Sequence, residues 1–161
     1  MKNRRFFPLF IDLSDKKVVV VGGGNIATRR VKAMLAFTRN ITVVAPDISP
    51  DLMVLAMSGH IDAQKRPVKR SDFVSAFLVL ACTNDWKLND VIYKICKEEG
   101  IYVNVSSDKE ECDFYFPAIC LQDNLVVGIT ASGEDHKRVK YLRGEVQKLM
   151  EDLPPASHEH S

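Results

Sequence analysis

A chain of 161 residues with 46% apolar and 27% charged side chains has the size and make-up of one ordinary soluble globular domain. Its net charge of +1 gives no electrostatic footprint for nucleic acid or an anionic membrane, and no apolar run reaches the length of a membrane span. The basic-then-apolar start is broken by Pro8 and Asp12, which predicts no signal-peptide core.

The first half alternates strand and helix. Lys17–Val21 is a short β-branched run of the kind buried on both faces of a parallel sheet, and Gly22-Gly23-Gly24 follows at once. Ile26 to Phe37 carries Ala27, Val31, Met34 and Leu35 at helical spacing. Ile41–Ala45 predicts a second buried strand closed by Pro46, and Ser49-Pro50 a helix start, with that helix running to about Met57. Ile61 to Lys65 predicts a weaker third strand and Ala76–Cys82 a strong fourth. Thr83-Asn84-Asp85 then caps a helix over Trp86–Glu99, with Gly100 at its end and a fifth strand at Ile101–Val105.

Beyond this point the pattern changes. Phe114–Phe116 and Leu125–Thr130 read as strands, with a hairpin turn at Gln122-Asp123-Asn124. A last amphipathic helix is predicted from about Glu134 to Leu153, with Val139, Leu142, Val146 and Leu149 along one side and Pro154-Pro155 as its stop. The expected fold class is α/β: a Rossmann-type parallel sheet with helices on both faces, then a small β segment and a C-terminal helix. The expected divisions are 1–112, 113–153 and a flexible tail at 154–161.

The four cysteines, Cys82, Cys96, Cys112 and Cys120, form no Cys-x-x-Cys pair. They read as free, mostly buried thiols of a cytoplasmic protein rather than disulfides or a zinc site. No His, Asp and Glu cluster announces a metal centre: His136 reads as a solvated helix residue, and His158 and His160 fall in the polar tail.

Gly22 to Ala27 fits the dinucleotide fingerprint in its G-x-G-x-x-A form. In that reading Gly22 makes the tight turn, Gly24 lets the backbone approach a diphosphate, and Ala27 keeps the helix close to the sheet, with the phosphates on the helix N-terminus beside Asn25 and Ile26. No Gly-Lys-Ser/Thr follows, which argues against a phosphate-transferring loop. Asp47, just past Pro46, is either a ribose contact or a solvated loop residue. No Arg directly follows the second strand, which favours NAD over NADP. Thr83 and Asn84 end the fourth strand on the same edge, as ligand contacts, helix caps or both.

With these residues placed, the chain resembles the precorrin-2 dehydrogenase/sirohydrochlorin ferrochelatase family, including the N-terminal module of sirohaem synthase. The resemblance rests on Phe7–Leu13, Val19–Ala27 with Arg29-Arg30, Val43–Pro46, Ala81–Asn84, Val103–Val105 and Phe114–Ala118. It implies an NAD-binding Rossmann domain, a β segment used for homodimerisation, and NAD-dependent dehydrogenation of the tetrapyrrole precorrin-2 to sirohydrochlorin. Some members also insert Fe²⁺. The implied NAD contacts are Gly22, Gly24, Asn25, Ile26, Pro46, Asp47 and Thr83.

The chain departs from the family pattern in three places. The family's proposed catalytic aspartate falls on Ser107, with Asp108 one place later. Thr130–Lys137 replaces a Ser-rich segment, and one helix stands where members carry a helical domain. Asp108 is the better proton acceptor of the pair, because a serine alone is not a base near neutral pH; a turn segment is the alternative. Basic residues Lys109, Lys137, Arg138, Lys140 and Arg143 read as either an exposed face or partners for substrate carboxylates. A non-catalytic tetrapyrrole or nucleotide binder is the rival reading, and a regulatory nucleotide-sensing module a second.

Overall fold

The computed structural model describes residues 6–154, which leaves Met1–Arg5 and the tail with His158 and His160 outside the described residues. Residues 10–114 form one compact unit. Residues 6–9 and 115–154 form another.

In the larger unit, five parallel strands lie in the order β3-β2-β1-β4-β5: β1 (Lys17–Val21), β2 (Ile41–Ala45), β3 (Asp62–Lys65), β4 (Ala76–Ala81) and β5 (Tyr102–Val105). That order is the doubly wound Rossmann arrangement, with the chain reversing direction across the sheet between β1 and β4. The register pairs Val20 with Val43 on one side and with Leu80 on the other.

The helices are α1 (Asn25–Met34), α2 (Pro50–Met57) and α3 (Trp86–Glu99). Each connects parallel neighbours, and right-handed crossovers send α1 and α3 to opposite faces of the sheet. Val19, Val21, Val79, Ala81, Val103 and Val105 pack with Ile92 and Cys96 of α3. The pleat turns Val18, Val20, Leu78 and Leu80 the other way, toward the face where α1 buries Ala27, Val31 and Met34. The strands are continuous apolar runs because both faces are covered.

Helix α1 stops at Met34, short of the expected Phe37, because residues 35–37 close the helix with turn-type bonds such as Phe37 N to Met34 O. Ser49 caps α2 by accepting from Leu52 N, and Gly100 ends α3 at φ 68°.

The amino edge of the sheet carries a 3₁₀ turn (Arg70–Phe73) that the sequence reading missed. Asp72 fixes it, receiving both Arg66 guanidinium nitrogens at 2.6 and 2.9 Å and the Lys69 amide at 2.7 Å.

In the smaller unit, β6 (Ala118–Gln122) and β7 (Leu125–Ile129) pair antiparallel, and α4 (His136–Glu151) packs on them. Phe114–Phe116 is not the expected strand. The Phe114 carbonyl is taken by the Asn104 side chain at 2.7 Å, and Pro117 has no amide proton with which to continue a ladder. The stripe expected on α4 also splits: Val139, Val146 and Met150 pack on Cys120 and Ile129, whereas Leu142 and Leu149 are exposed.

Arg66 beside Asp72 holds that carboxyl below the usual carboxylate range. A depressed folded value means that the stabilisation is complete above the unfolded value, about 3.9, and is lost as pH falls through the folded one. Asp72→Asn is therefore expected to lower Tm at pH 7 by a few degrees, with the difference from wild type shrinking as pH falls below the unfolded carboxylate value in matched thermal melts.

Candidate functional site

The loops that leave β1, β2, β4 and β5 meet at the carboxyl edge of the sheet, on either side of the reversal point. Two backbone hydrogen bonds and one side-chain contact knit the first two together. Gly22 N donates to Val44 O, Ser49 N donates to Gly23 O, and the hydroxyls of Thr28 and Ser49 lie 2.8 Å apart.

The glycines divide the work. Gly22 sits at φ 117°, and a Cβ there would lie 2.6 Å from Cys82 O. Gly23, which sequence reasoning passed over, is the tightest: its Cβ would lie 2.1 Å from Asp47 O. Both therefore serve close packing of the protein on itself. Gly24 is different, because a Cβ there would meet nothing within 4 Å. It occupies the N-cap of α1 in extended geometry without any side-chain cap, so the first turn of α1 offers its amides to whatever lies beyond. Open space over an uncapped helix N-terminus fits a dinucleotide diphosphate, because the donors and the helix dipole both favour an anion.

Around this cradle, Asn25 and Ile26 are exposed at the head of α1, and Ala27 is fully buried beneath them. Pro46 and Asp47 are exposed in the loop over Gly23. Arg30 reaches back to Cys82 Sγ at 3.5 Å, and Arg29 is exposed. Cys82 is buried, and burial pushes its thiol pKa up against the pull of Arg30. All four cysteines are free, and burial pushes Cys96 up to about 12, which leaves it an inert core group.

Thr83 and Asn84 follow β4. Asn84 is exposed, while Thr83 is half-buried and tied into the structure: its hydroxyl lies 2.7 Å from Asn89 Oδ1 and 3.0 Å from Asp85 O, and it accepts the Asp85 amide at 3.2 Å. Asp85 is the residue that caps α3, accepting from the amides of Lys87 and Leu88.

Ser107 and Asp108 follow β5, and both are exposed. Ser107 Oγ accepts from Asn89 Nδ2 at 3.0 Å, whereas Asp108 Oδ1 accepts from Glu110 N at 2.8 Å in a local turn. Glu111 nearby has its carboxyl pKa raised, first by burial and then by the charges of Asp108 and Asp90. Cys112 clasps the far end of this loop, its Sγ 3.3 Å from both Val105 N and Val105 O and 3.2 Å from Asp108 O. Asn89 is thus a site residue missed by sequence reasoning. A lone polar residue at position 89 of an amphipathic helix gives no signal of what it bonds.

Of the basic residues, Lys109, Lys137, Arg138, Lys140 and Arg143 are exposed. Arg143 Nε bonds Ile119 O at 3.1 Å within the smaller unit, and His136 begins α4 exposed. No helix of the described residues is long and apolar enough to cross a membrane, and no group of three or more His, Cys, Asp or Glu gathers among them as metal ligands.

Residues 9–118 match a family model described as "Putative NAD(P)-binding". The "Precorrin-2 dehydrogenase" of Bacillus subtilis is 35% identical over 144 residues, 89% of this chain and 88% of that protein. The "Probable multifunctional siroheme biosynthesis protein HemA" of Ruminiclostridium josui is 43% identical over 89% of this chain, which spans 28% of that longer protein. A solved structure titled "SirC, precorrin-2 dehydrogenase" superposes with a TM-score of 0.78 at 26% identity, covering 91% of this chain and 74% of that one.

Two substitutions separate the roles of adjacent glycines. Gly24→Ala is expected to leave Tm unchanged while weakening NADH binding about tenfold or more, because the methyl fills space that only a ligand needs. Gly23→Ala is expected to destabilise the fold itself. The single tryptophan, Trp86, opens α3 beside Asn84 and is exposed, so energy transfer from it to NADH reads the binding.

Proposed function

This chain belongs to the NAD(P)-binding precorrin-2 dehydrogenase family, and on that premise we propose that it oxidises precorrin-2 to sirohydrochlorin with NAD⁺. The observation that carries the reading is the open, uncapped cradle over Gly24 on the same sheet edge as the Ser107–Asp108 loop. In this proposal Gly24, Asn25 and Ile26 receive the diphosphate and its flanks, while Gly22 and Ala27, buried beneath them, hold the turn and the helix in place. Pro46 and Asp47 line the ribose side, and Thr83 and Asn84 the middle of the dinucleotide.

NAD⁺ supplies the acceptor for the hydrogen and electron pair that leave the macrocycle. The chain supplies orientation and a place for the proton released with them. Asp108 takes that proton as general base, since a carboxylate is ionised near neutral pH and a serine hydroxyl is not. Ser107 is a hydrogen-bond donor: its oxygen already accepts the Asn89 amide, which leaves its own proton for an acceptor on the substrate. Lys109 on the same loop is suited to a substrate carboxylate. The protein works in the cytoplasm, with its free thiols reduced.

We further propose a homodimer through the unit that starts at Tyr115. Leu121, Leu125, Tyr141, Leu142 and Leu149 are all exposed there, more apolar surface than a small unit leaves to water without use. Light scattering at twice the chain mass is the expected result.

The test of activity is anaerobic turnover of enzymatically prepared precorrin-2 with NAD⁺, following NADH and sirohydrochlorin absorbance. Wild type is expected to turn over, and Asp108→Ala to lose about 10²-fold or more in kcat with NADH affinity retained. NADH binding without turnover would favour the non-catalytic binder instead.

A further inference from the structure

Asn89 is 1% exposed, on a helix whose other buried residues are Ile92 and Cys96. A buried amide costs free energy unless its donors and acceptor are matched. Here they are: Oδ1 takes the Thr83 hydroxyl at 2.7 Å, and Nδ2 donates to Thr83 O at 3.1 Å and to Ser107 Oγ at 3.0 Å. One side chain therefore bonds both the loop leaving β4 and the loop leaving β5. Its own origin is fixed, because Asn89 N donates to Asp85 O in the first turn of α3, and α3 is anchored in the core by Ile92 and Cys96.

A helix cap alone does not account for this arrangement. Asp85 already caps α3 through the amides of Lys87 and Leu88, and Asn89 lies a turn further in. Nor does the Ser107 loop need Asn89 to close, since Cys112 already holds its far end to β5. What the amide adds is a fixed spacing between Thr83 and Ser107, together with a Ser107 hydroxyl that accepts from Asn89 and keeps its own proton for another acceptor.

We propose that Asn89 is a positioning residue that sets the cofactor-side loop and the substrate-side loop in one mutual geometry. Dinucleotide and tetrapyrrole then meet in a single relative orientation, with Asp108 on the pinned loop. The inference rests on the dehydrogenase reading above for its chemistry, but the coupling of the two loops is testable without substrate.

Asn89→Ala, Ser107→Ala and the double variant are made in the full chain, with folding checked by circular dichroism. Two readouts need only NADH. In Asn89→Ala, the amides of residues 106–111 are expected to exchange faster, and NADH affinity, read from Trp86, to fall by about threefold or more as Thr83 is released. The third readout is turnover: each single variant is expected to lower kcat about tenfold with KM for precorrin-2 within about twofold, and the double variant to be no worse than the poorer single.

A merely structural Asn89 lowers Tm while leaving exchange of 106–111, NADH affinity and kcat at wild-type levels, which overturns the proposal. Losses that multiply in the double variant also overturn it. If wild type binds NADH but does not turn over precorrin-2, the dehydrogenase reading fails by itself, and loop exchange with NADH affinity still decides the role of Asn89. If Asn89→Ala does not fold, Ser107→Ala decides: unchanged exchange at 106–111 overturns the proposal, and faster exchange supports it.

Discussion

The site depends on how closely three loops approach one another at the end of β1. The chain leaves Val21 into a turn with Cys82 pressed on one side and Asp47 on the other, and at neither contact is there room for a methyl group. Glycine at 22 and 23 is the condition for β2, β1 and β4 to end at the same level. Everything that follows inherits that geometry: α1 begins where its first amides face open space, and the loop after β2 closes over the turn through Ser49 and Thr28. The proposed anion cradle is thus a by-product of tight packing, with Gly24 as the one position in the run where an added Cβ would meet open space.

A second constraint builds the other half of the edge. Loops after β4 and β5 carry the polar groups proposed to face cofactor and substrate, and such loops are only as precise as what holds them. A buried amide on α3 and a half-buried thiol at Cys112 hold them here, both bonding to backbone or hydroxyl groups rather than to charges. Neutral hydrogen bonds in a low-dielectric setting avoid the desolvation cost of an ion pair and keep their geometry across the physiological pH range.

The parallel sheet was legible because its strands are unbroken β-branched runs and its helices carry apolar residues at helical spacing, so local pattern and tertiary burial agree. The glycine turn and Thr83 were legible from their place after strands, whereas Ser107 and Asp108 were singled out only through the family resemblance. Phe114–Phe116 misled because three consecutive aromatics have high strand propensity, whereas Asn104 and Pro117 decide the backbone there. On α4 the heptad-like stripe could not show that Val146 faces the hairpin while Leu149 faces outward. Asn89 and Gly23 were illegible for a common reason: each matters through a partner distant in sequence, and no periodicity encodes that.

Family membership, cradle and pinned loops support the proposed dehydrogenase, in which the chain's own contribution is orientation and a proton acceptor. Its central claim is that the diphosphate sits on the first turn of α1 in the space over Gly24. The most direct test is a crystal structure of the chain with NAD⁺. The account predicts diphosphate oxygens within hydrogen-bond distance of the amides that open α1, with the dinucleotide crossing the carboxyl edge past Thr83. A diphosphate bound elsewhere, with the space over Gly24 left to water, would contradict it.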